Sequence, residues 1–154
     1  MSLRHIAIGK AARLYWRVFQ PRTLGVRCVL LDPEGRVALV RHIGGTQWYL
    51  PGGGVNKGEG FSDALARELA EEVAVTGFAV ERVLGAYHSR TEGKDDHIVV
   101  FVARMEPRPL VAADVAEIAQ AEWFAVDALP KEVSPATRRR LAELRSGTAG
   151  TGTW

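Results

Sequence analysis

A glycine-rich loop leads directly into an amphipathic helix over residues 51–75, and this pairing constrains the fold more than any other feature of the sequence. Leu65, Leu69 and Val73 recur at the spacing that places side chains on one face of an α-helix. A helix with one apolar face has to bury that face against another element. Because β-type apolar runs lie on both sides of this segment, the pattern predicts a mixed sheet with helices packed against it.

Three glutamates lie on a neighbouring side of the same helix. Glu68, Glu71 and Glu72 are three and four residues apart, so their carboxylates share one face. Each close pair of like charges costs about 0.2–0.5 kcal/mol in an isolated helix. A hard divalent cation would reverse that sign, since Mg²⁺ and Mn²⁺ prefer oxygen ligands, and Mg²⁺ pairs readily with phosphate oxygens. The pattern predicts a Mg²⁺ or Mn²⁺ site that takes a phosphate-bearing substrate.

The loop before the helix agrees with this prediction. Three consecutive glycines at 52–54 allow the backbone to approach an ion or a phosphate closely. Glu59 stands at the end of the loop, and Arg67 lies four residues before Glu71, where it can orient a carboxylate. A glycine triplet alone is usually a flexible turn, and a glutamate pair alone is usually a solvated face. Their joint spacing carries the prediction.

The remaining elements follow from apolar periodicity and turn residues. Two apolar runs joined by a Pro-Glu-Gly turn predict a β-hairpin, and two further strands are predicted around the polar segment 91–95. Ser62 is a candidate N-cap of the glutamate-bearing helix, and Ser134 is predicted to cap a final helix. Residues 3–19 carry a helical apolar repeat with a basic stripe, and the pattern predicts an amphipathic helix there.

Composition limits the classes of function. The chain has 154 residues and a net charge of +2, which fits one domain. Positions 1–31 contain six basic residues and no acidic residue, whereas the remainder of the chain has fourteen basic and eighteen acidic residues. Extended contact with nucleic acid is therefore not expected. The absence of long apolar runs predicts no transmembrane segment, and the single cysteine, Cys28, favours a cytoplasmic location and a core position. The helix before the core could serve a homodimer.

The spacing of the loop and helix resembles the signature box of the Nudix hydrolase family. Gly53 is followed after five residues by Glu59 and after seven more by Arg-Glu-Leu-Ala-Glu-Glu-Val, which begins at Arg67. One departure is Ala74, where the family usually has glycine, so the exit from the helix is in question. The resemblance implies a Nudix-type α/β/α sandwich over residues 21–146. The amphipathic pattern before it predicts an N-terminal helix at 1–20, and the composition of 147–154 predicts a flexible tail.

The family resemblance also implies an activity. It points to metal-dependent hydrolysis of the pyrophosphate bond in a nucleoside diphosphate linked to another moiety, of the ADP-ribose or nucleotide-sugar type. Other Nudix substrates stay open: nucleoside triphosphates, dinucleoside polyphosphates and capped RNA 5′ ends. A module that senses nucleotides without cleaving them is a further alternative, against which the complete set of glutamates counts.

The resemblance assigns roles by position. Glu117 is added because it precedes Trp123 by six residues, similar to the acidic loop before a tryptophan-containing strand in many members. The general base stays unassigned. The implied metal ligands are the Gly52 carbonyl and four carboxylates, those of Glu68, Glu71, Glu72 and Glu117. The implied catalytic and supporting side chains are those of Glu59, Arg67, Glu68, Glu71, Glu72 and Glu117.

Candidate substrate contacts are less specific. The glycine backbone at Gly53 and Gly54 could cradle phosphate, the arginines at 41 and 90 could clamp phosphate, and Tyr87 could stack on a base. Two histidines, His42 and His97, lie on or beside the same strands. The predicted substrate-binding set is Gly53, Gly54, Arg41, Tyr87 and Arg90.

Overall fold

The computed structural model describes residues 22–91, 94–148 and 150–154. The predicted N-terminal helix lies outside the described residues. In chain order the elements are β1 (Arg22–Leu31), β2 (Arg36–His42), α1 (Phe61–Val73), β3 (Ala79–Ser89), β4 (Asp95–Arg104), β5 (Ile118–Ala125), α2 (Pro135–Ser146) and β6 (Gly150–Thr153). The six strands form one sheet in the order β5-β2-β1-β4-β3-β6. Strand β1 is parallel to β4 and β3 is parallel to β6, and the other pairs are antiparallel, so the predicted mixed sheet is confirmed.

The two helices cover opposite faces of this sheet. Successive residues of a strand point to opposite faces, and β1 shows this clearly. Its Cys28 and Leu30 pack with Leu65 and other apolar residues of α1, whereas Leu31 belongs to a second cluster that contains Leu141 of α2. The predicted α/β/α sandwich is therefore confirmed. The Cys28 thiol is fully buried, and burial raises its pKa, so this residue fills the core.

The glycine-rich loop is wedged between β1 and β2. These strands form the predicted hairpin but are in register only at Leu31 and Val37. Beyond that point they diverge, and the loop takes the place of β2 beside β1. The Val26 N–H donates to the Gly53 carbonyl at 2.9 Å, and the Cys28 N–H donates to the Pro51 carbonyl at 2.9 Å. Backbone bonding to a central strand thus fixes the loop in front of α1.

The two ends of α1 differ from the sequence-based expectation. Ser62 is not the N-cap, because the helix already begins at Phe61, and the Asp63 carboxylate accepts from the Gly60 N–H at 3.3 Å. At the other end Ala74 takes the left-handed conformation, with φ 56° and ψ 31°. It is the only non-glycine residue with positive φ in the described ranges. The helix therefore ends as a glycine would end it, at a cost of about 1–2 kcal/mol.

The end of the chain is a strand rather than the expected flexible tail. Residues of β6 pair with β3, and the Trp154 N–H donates to the His88 carbonyl at 2.9 Å. The Arg140 guanidinium carbon lies 5.7 Å from the centroid of the Trp154 ring. Small residues suggested flexibility, but they let this strand approach the sheet closely, since a Cβ on Gly150 would overlap the Tyr87 hydroxyl. The predicted cap of α2 is confirmed, since Ser134 Oγ accepts from the Thr137 N–H at 3.2 Å.

Neither helix in the described ranges is long and apolar enough to span a membrane.

Candidate active site

One arginine organises three of the four glutamates of the loop and α1. Arg67 donates from Nε and Nη2 to the two oxygens of Glu59, both at 2.9 Å. Its Nη1 donates to Glu68 at 2.7 Å and to Glu71 at 3.1 Å. The bonds from Arg67 lower the pKa of Glu59 to about 2. A planar guanidinium with several fixed donors therefore holds three carboxylates in place.

Arg67 also ties the helix to the glycine loop. Its Nη2 donates to the Gly54 carbonyl at 2.8 Å. The carboxylate of Glu59 accepts in addition from the Asn56 N–H at 2.9 Å, within the loop itself. The loop and the first turns of α1 are thus joined through one side chain.

The fourth carboxylate, Glu72, is in a different environment. It is 5% exposed and accepts from the Gly52 N–H at 2.7 Å. Burial raises the pKa of Glu72 to about 7, although the hydrogen bond from Gly52 and the charge of Arg27 act in the opposite direction. Among the described residues Glu72 forms no ion pair with an arginine or lysine. A buried carboxylate without a cation is costly, and it is a common mark of a functional site.

Two further side chains converge on Glu72. Potential ligand atoms of His42, at the end of β2, and Glu117, just before β5, lie within 4.8 Å of each other and of a Glu72 oxygen. His42 Nδ1 is 3.7 Å from Glu117 Oε1. The Ile43 N–H donates to the Glu117 carbonyl at 2.8 Å, which fixes the two segments side by side. We refer to His42, Glu72 and Glu117 as the Glu72 cluster.

The donor set of the Glu72 cluster fits a divalent cation. Burial lowers the pKa of His42, which keeps the imidazole neutral and able to donate a lone pair to a metal. Two carboxylates and one neutral imidazole suit Mn²⁺ and similar ions, and carboxylate oxygens with water suit Mg²⁺. Glu72 is buried and lacks an ion pair in the described part of the chain, so a bound cation would supply the missing positive charge.

Glycine is required at two positions of the loop. Gly52 has φ 132°, and a Cβ there would overlap the Val26 carbonyl oxygen. A Cβ on Gly53 would lie 2.5 Å from Glu68 Oε1. By contrast, a Cβ on Gly54 would meet nothing within 4 Å. The loop is therefore pressed against β1 at one glycine and against the Glu68 carboxylate at the next.

A family comparison agrees with this geometry. The model of the NUDIX domain matches residues 21–144, which is most of the chain. This chain belongs to the Nudix hydrolase family. The predicted assignment to this family of enzymes is therefore confirmed.

Curated Nudix relatives match the chain to different extents. An RNA pyrophosphohydrolase of Hahella chejuensis is 45% identical over 60 residues, which are 39% of this chain and 37% of that protein. A MutT-like protein of Streptomyces ambofaciens is 26% identical over 125 residues, which are 81% of this chain and 78% of that protein. The chain thus matches little more than a third of the first relative's length and most of the second.

Solved structures share the Nudix fold. A MutT NUDIX hydrolase from Burkholderia pseudomallei superimposes with a TM-score of 0.68 at 25% identity, over 80% of this chain and 98% of that one. A UDP-X diphosphatase superimposes with a TM-score of 0.66 at 22% identity, over 94% of this chain and 74% of that one. Both support the architecture derived from the sheet order.

The structure sorts the predicted Nudix box residues into two groups. Glu59, Glu68 and Glu71 surround Arg67, whereas Glu72 joins Glu117. Glu71 has a side chain that is 54% exposed, on the outer side of the group. Gly52 contacts the site through its N–H, which binds Glu72, while its predicted role was that of a carbonyl ligand.

The predicted substrate residues are only partly brought together. Gly53 and Gly54 line a pocket of about 310 Å³ beside β1 and the start of β4. Arg41 instead lies over the Trp48 ring at 5.5 Å, and Arg90 is exposed directly after β3.

Tyr87 is not placed for stacking on a base. It is 3% exposed, its hydroxyl donates to Glu143 at 2.6 Å, and the Arg140 guanidinium lies 3.7 Å from its ring centroid. Its ring packs against α2 because it lies on the strand face that this helix covers.

Two residues of the site were missed as ligands by sequence reasoning. His42 was considered for substrate contact, but the structure places it in the Glu72 cluster. Arg27 lines the same pocket as Gly53, and its Nη1 is buried without a hydrogen-bond partner among the described residues. A signal for Arg27 was present, since it is a charged residue within the apolar run Gly-Val-Arg-Cys-Val-Leu-Leu.

Proposed function

We propose that this Nudix enzyme hydrolyses the pyrophosphate bond of a nucleoside diphosphate linked to a second moiety, of the ADP-ribose or nucleotide-sugar type, with Mg²⁺ or Mn²⁺. The observation that carries the proposal is the Glu72 cluster. Its buried carboxylate has a raised pKa, accepts from the glycine loop at Gly52 and feels the charge of Arg27, which lines a pocket together with Gly53 and Gly54.

The carboxylates divide into holders of the ion and supports. Glu72 and Glu117 would hold it, with His42 as a third donor, and Glu68 lies close enough to raise the pKa of Glu72 through its charge. Once bound, such an ion supplies neutralisation of pyrophosphate charge and activation of the attacking water. Arg67 keeps Glu68 oriented toward the loop.

The pocket beside the glycine loop suits a phosphate group. Arg27 contributes a guanidinium whose Nη1 has no hydrogen-bond partner within the described part of the chain, and a phosphate oxygen is a natural acceptor for it. Thr23 and Asp96 line the same pocket and are hydrogen bonded to each other at 2.9 Å. A volume of about 310 Å³ fits part of a small nucleotide better than an extended polymer.

A second candidate is hydrolysis at the 5′ end of RNA. The relative from Hahella chejuensis, named an RNA pyrophosphohydrolase, is 45% identical, which favours this candidate, although its match covers 39% of the chain. The body of the chain after residue 31 has an excess of acidic residues, which disfavours contact with a long nucleic acid.

We also propose a cytoplasmic location, since the single cysteine is buried as a thiol and the chain offers no disulfide to an oxidising compartment. The homodimer expected from residues 1–20 stays a prediction.

The test is a substrate panel incubated with the full chain, with and without Mg²⁺ or Mn²⁺. It contains ADP-ribose, a UDP-sugar, a nucleoside triphosphate, a dinucleoside polyphosphate and a 5′-triphosphorylated RNA. We expect metal-dependent release of a nucleoside monophosphate from one of the first two. Preferred cleavage of the RNA would support the second candidate and overturn the first. Metal binding without cleavage of any compound would indicate the sensing module instead.

A further inference from the structure

A second cluster of metal-ligating side chains lies at the opposite end of β4 from the exit of α1. His88 on β3 and His97 on β4 are directly paired across the two antiparallel strands, so their side chains share one face of the sheet. Asp95 is two residues before His97 and points to the same face. Potential ligand atoms of the three residues all lie within 4.8 Å of one another.

The contacts within this cluster are close. His88 Nε2 is 2.6 Å from Asp95 Oδ1, and the two imidazole rings have centroids 4.9 Å apart. The bond from His88 lowers the pKa of Asp95, so the carboxylate is ionised at neutral pH. Its other oxygen is 3.6 Å from Arg22 Nε, but this arginine side chain is 76% exposed and can move away.

One ring nitrogen of His97 lacks a hydrogen-bond partner in the described part of the chain. His97 Nδ1 is buried and has no hydrogen-bond partner among the described residues. A buried polar atom left unpaired is destabilising, because it has lost its hydrogen bonds to water. A simple His88–Asp95 ion pair explains two of the three side chains but not this third one.

We propose that His88, Asp95 and His97 bind a divalent transition-metal ion of the Zn²⁺ kind, at a site that shares no residue with the Glu72 cluster. Two imidazoles and a carboxylate form a common zinc donor set. Metal–ligand bonds of about 2.0–2.1 Å require donor separations of about 3.3 Å in a tetrahedron. The His88–Asp95 separation of 2.6 Å is shorter than that value and the others lie within 4.8 Å, so modest side-chain rotations suffice. Coordination through His88 Nε2 would require the proton on that nitrogen to move to Nδ1 or to solvent.

The surroundings leave one coordination position accessible. His88 and His97 line a pocket of about 400 Å³, whose other walls include Phe61 at the start of α1 and Gly152 and Thr153 of β6. An ion held by three protein ligands keeps a fourth position for water or a small anion. The same ion would fasten β3 to β4 next to Asp96, which lines the pocket beside the glycine loop.

The test uses Co²⁺ as a spectroscopic substitute for Zn²⁺ in the full chain. We expect one equivalent of Co²⁺ to give the intense visible absorption of a four-coordinate site, and Zn²⁺ to displace it. His88→Asn and His97→Asn should each weaken Co²⁺ binding by more than about 100-fold, since changes to partners behind the ligands alone cost about 10–100-fold. Asp95→Asn keeps the shape of the side chain and is therefore the variant least expected to disturb folding. Thermal unfolding checks that each variant is folded.

The matched controls are His42→Asn and Glu72→Gln in the other cluster, which should leave the Co²⁺ spectrum unchanged. Loss of the spectrum in these two variants, with retention in His88→Asn and His97→Asn, would assign the ion to the Glu72 cluster and overturn the proposal. Absence of any four-coordinate spectrum in the folded wild-type chain would reduce the cluster to an ion pair. Neither outcome depends on which nucleotide the enzyme cleaves.

Discussion

Two neighbouring groups of carboxylates on the same loop and helix lie in different environments, which shift the pKa of Glu59 and that of Glu72 in opposite directions. Around Arg67, Glu59 and its neighbours are paired with a cation, and the pKa of Glu59 falls to about 2. One helical position beyond Glu71, Glu72 is buried without an arginine or lysine partner in the described ranges, and its pKa rises to about 7. Each carboxylate of the Arg67 group accepts a hydrogen bond from the guanidinium, whereas the buried Glu72 accepts from the backbone N–H of Gly52.

This difference indicates a division of labour within one motif. A group held by several fixed hydrogen bonds keeps its geometry without a ligand, so the Arg67 group can preorganise the loop and helix. A buried carboxylate without an arginine or lysine partner among the described residues gains most from a cation, so the Glu72 cluster is where a metal ion would bind most favourably. Four glutamates that look equivalent in sequence are thus expected to respond very differently to the same substitution.

The largest expected contrast is between Glu72→Gln and Glu71→Gln. Loss of an oriented partner behind a ligand costs about 10–100-fold in activity, so removal of a ligand charge at Glu72 should lower kcat/KM by more than about 100-fold. Glu71→Gln removes an exposed charge, and we expect a loss of about 10-fold or less. Steady-state rates on the cleaved substrate check this, and similar losses in both variants would contradict the division.

A smaller contrast separates adjacent glycines. Gly53→Ala places a Cβ 2.5 Å from Glu68 Oε1, whereas Gly54→Ala meets nothing within 4 Å. Displacement of Glu68 should lower kcat/KM by about 10–100-fold. Gly54→Ala should retain nearly full activity and is the matched control. Equal activity of the two variants would show that Glu68 can move without consequence.

The two groups should also give opposite pH slopes. The folded-state pKa of Glu72, about 7, exceeds its ordinary value of 4.5, so the native state binds this proton more tightly than the unfolded state. In metal-free protein this group lowers the free energy of unfolding as pH rises from about 4.5 to about 7, by on the order of 3 kcal/mol. Glu59, with a depressed pKa, stabilises above about 4.5, and this contribution is lost as pH falls toward 2.

Denaturant unfolding of wild type and Glu72→Gln across this range isolates the Glu72 contribution as a difference. We expect the fall between pH 4.5 and 7 to be smaller in the variant. Saturating Mg²⁺ should raise the stability of wild type more at pH 7 than at pH 5, since the ion binds the ionised carboxylate. A pH slope identical in the two proteins would mean that Glu72 is ionised throughout.

The smallest expected effect lies outside both groups, at the end of α1. Ala74→Gly removes the cost of a left-handed alanine, about 1–2 kcal/mol, but adds backbone freedom to the unfolded chain worth about 0.4–1 kcal/mol. The free energy of unfolding should rise by about 0.5–1 kcal/mol, with kcat unchanged. A loss of stability would mean that the Ala74 methyl makes contacts that outweigh its strain.

Much of the fold could be predicted because local patterns and packing agree. Strand and helix periodicity predicted the sheet and both described helices, and the loop-helix spacing predicted the family. The prediction of a flexible tail was wrong because composition does not reveal which strands pair. Strand β6 is hydrogen bonded to β3 and Trp154 lies near Arg140, and both contacts are long-range. The prediction of Ser62 as the N-cap was wrong because the helix begins earlier, at Phe61, where the Asp63 carboxylate accepts from the Gly60 N–H.

The contacts between residues close in sequence could be predicted, whereas those between distant segments of the chain could not. Spacing brings Glu59, Glu68 and Glu71 within reach of one arginine, and sequence reasoning anticipated that Arg67 could orient a carboxylate. The contrast with Glu72 depends on burial, which the spacing of the box does not reveal. His42 and Tyr87 illustrate the same limit, because strand alternation and the path of the loop decide that His42 meets Glu72 and that Tyr87 packs under Arg140.

The central claim is that the Glu72 cluster, rather than the Arg67 group, binds the divalent cation. The most direct measurement is a Mn²⁺ titration of wild type, Glu72→Gln and Glu71→Gln, followed by the electron paramagnetic resonance signal of free Mn²⁺. We predict that Glu72→Gln weakens Mn²⁺ binding by more than about 10-fold, and that Glu71→Gln changes it by about 3-fold or less. Unchanged binding in Glu72→Gln, or a larger loss in Glu71→Gln, would contradict the account.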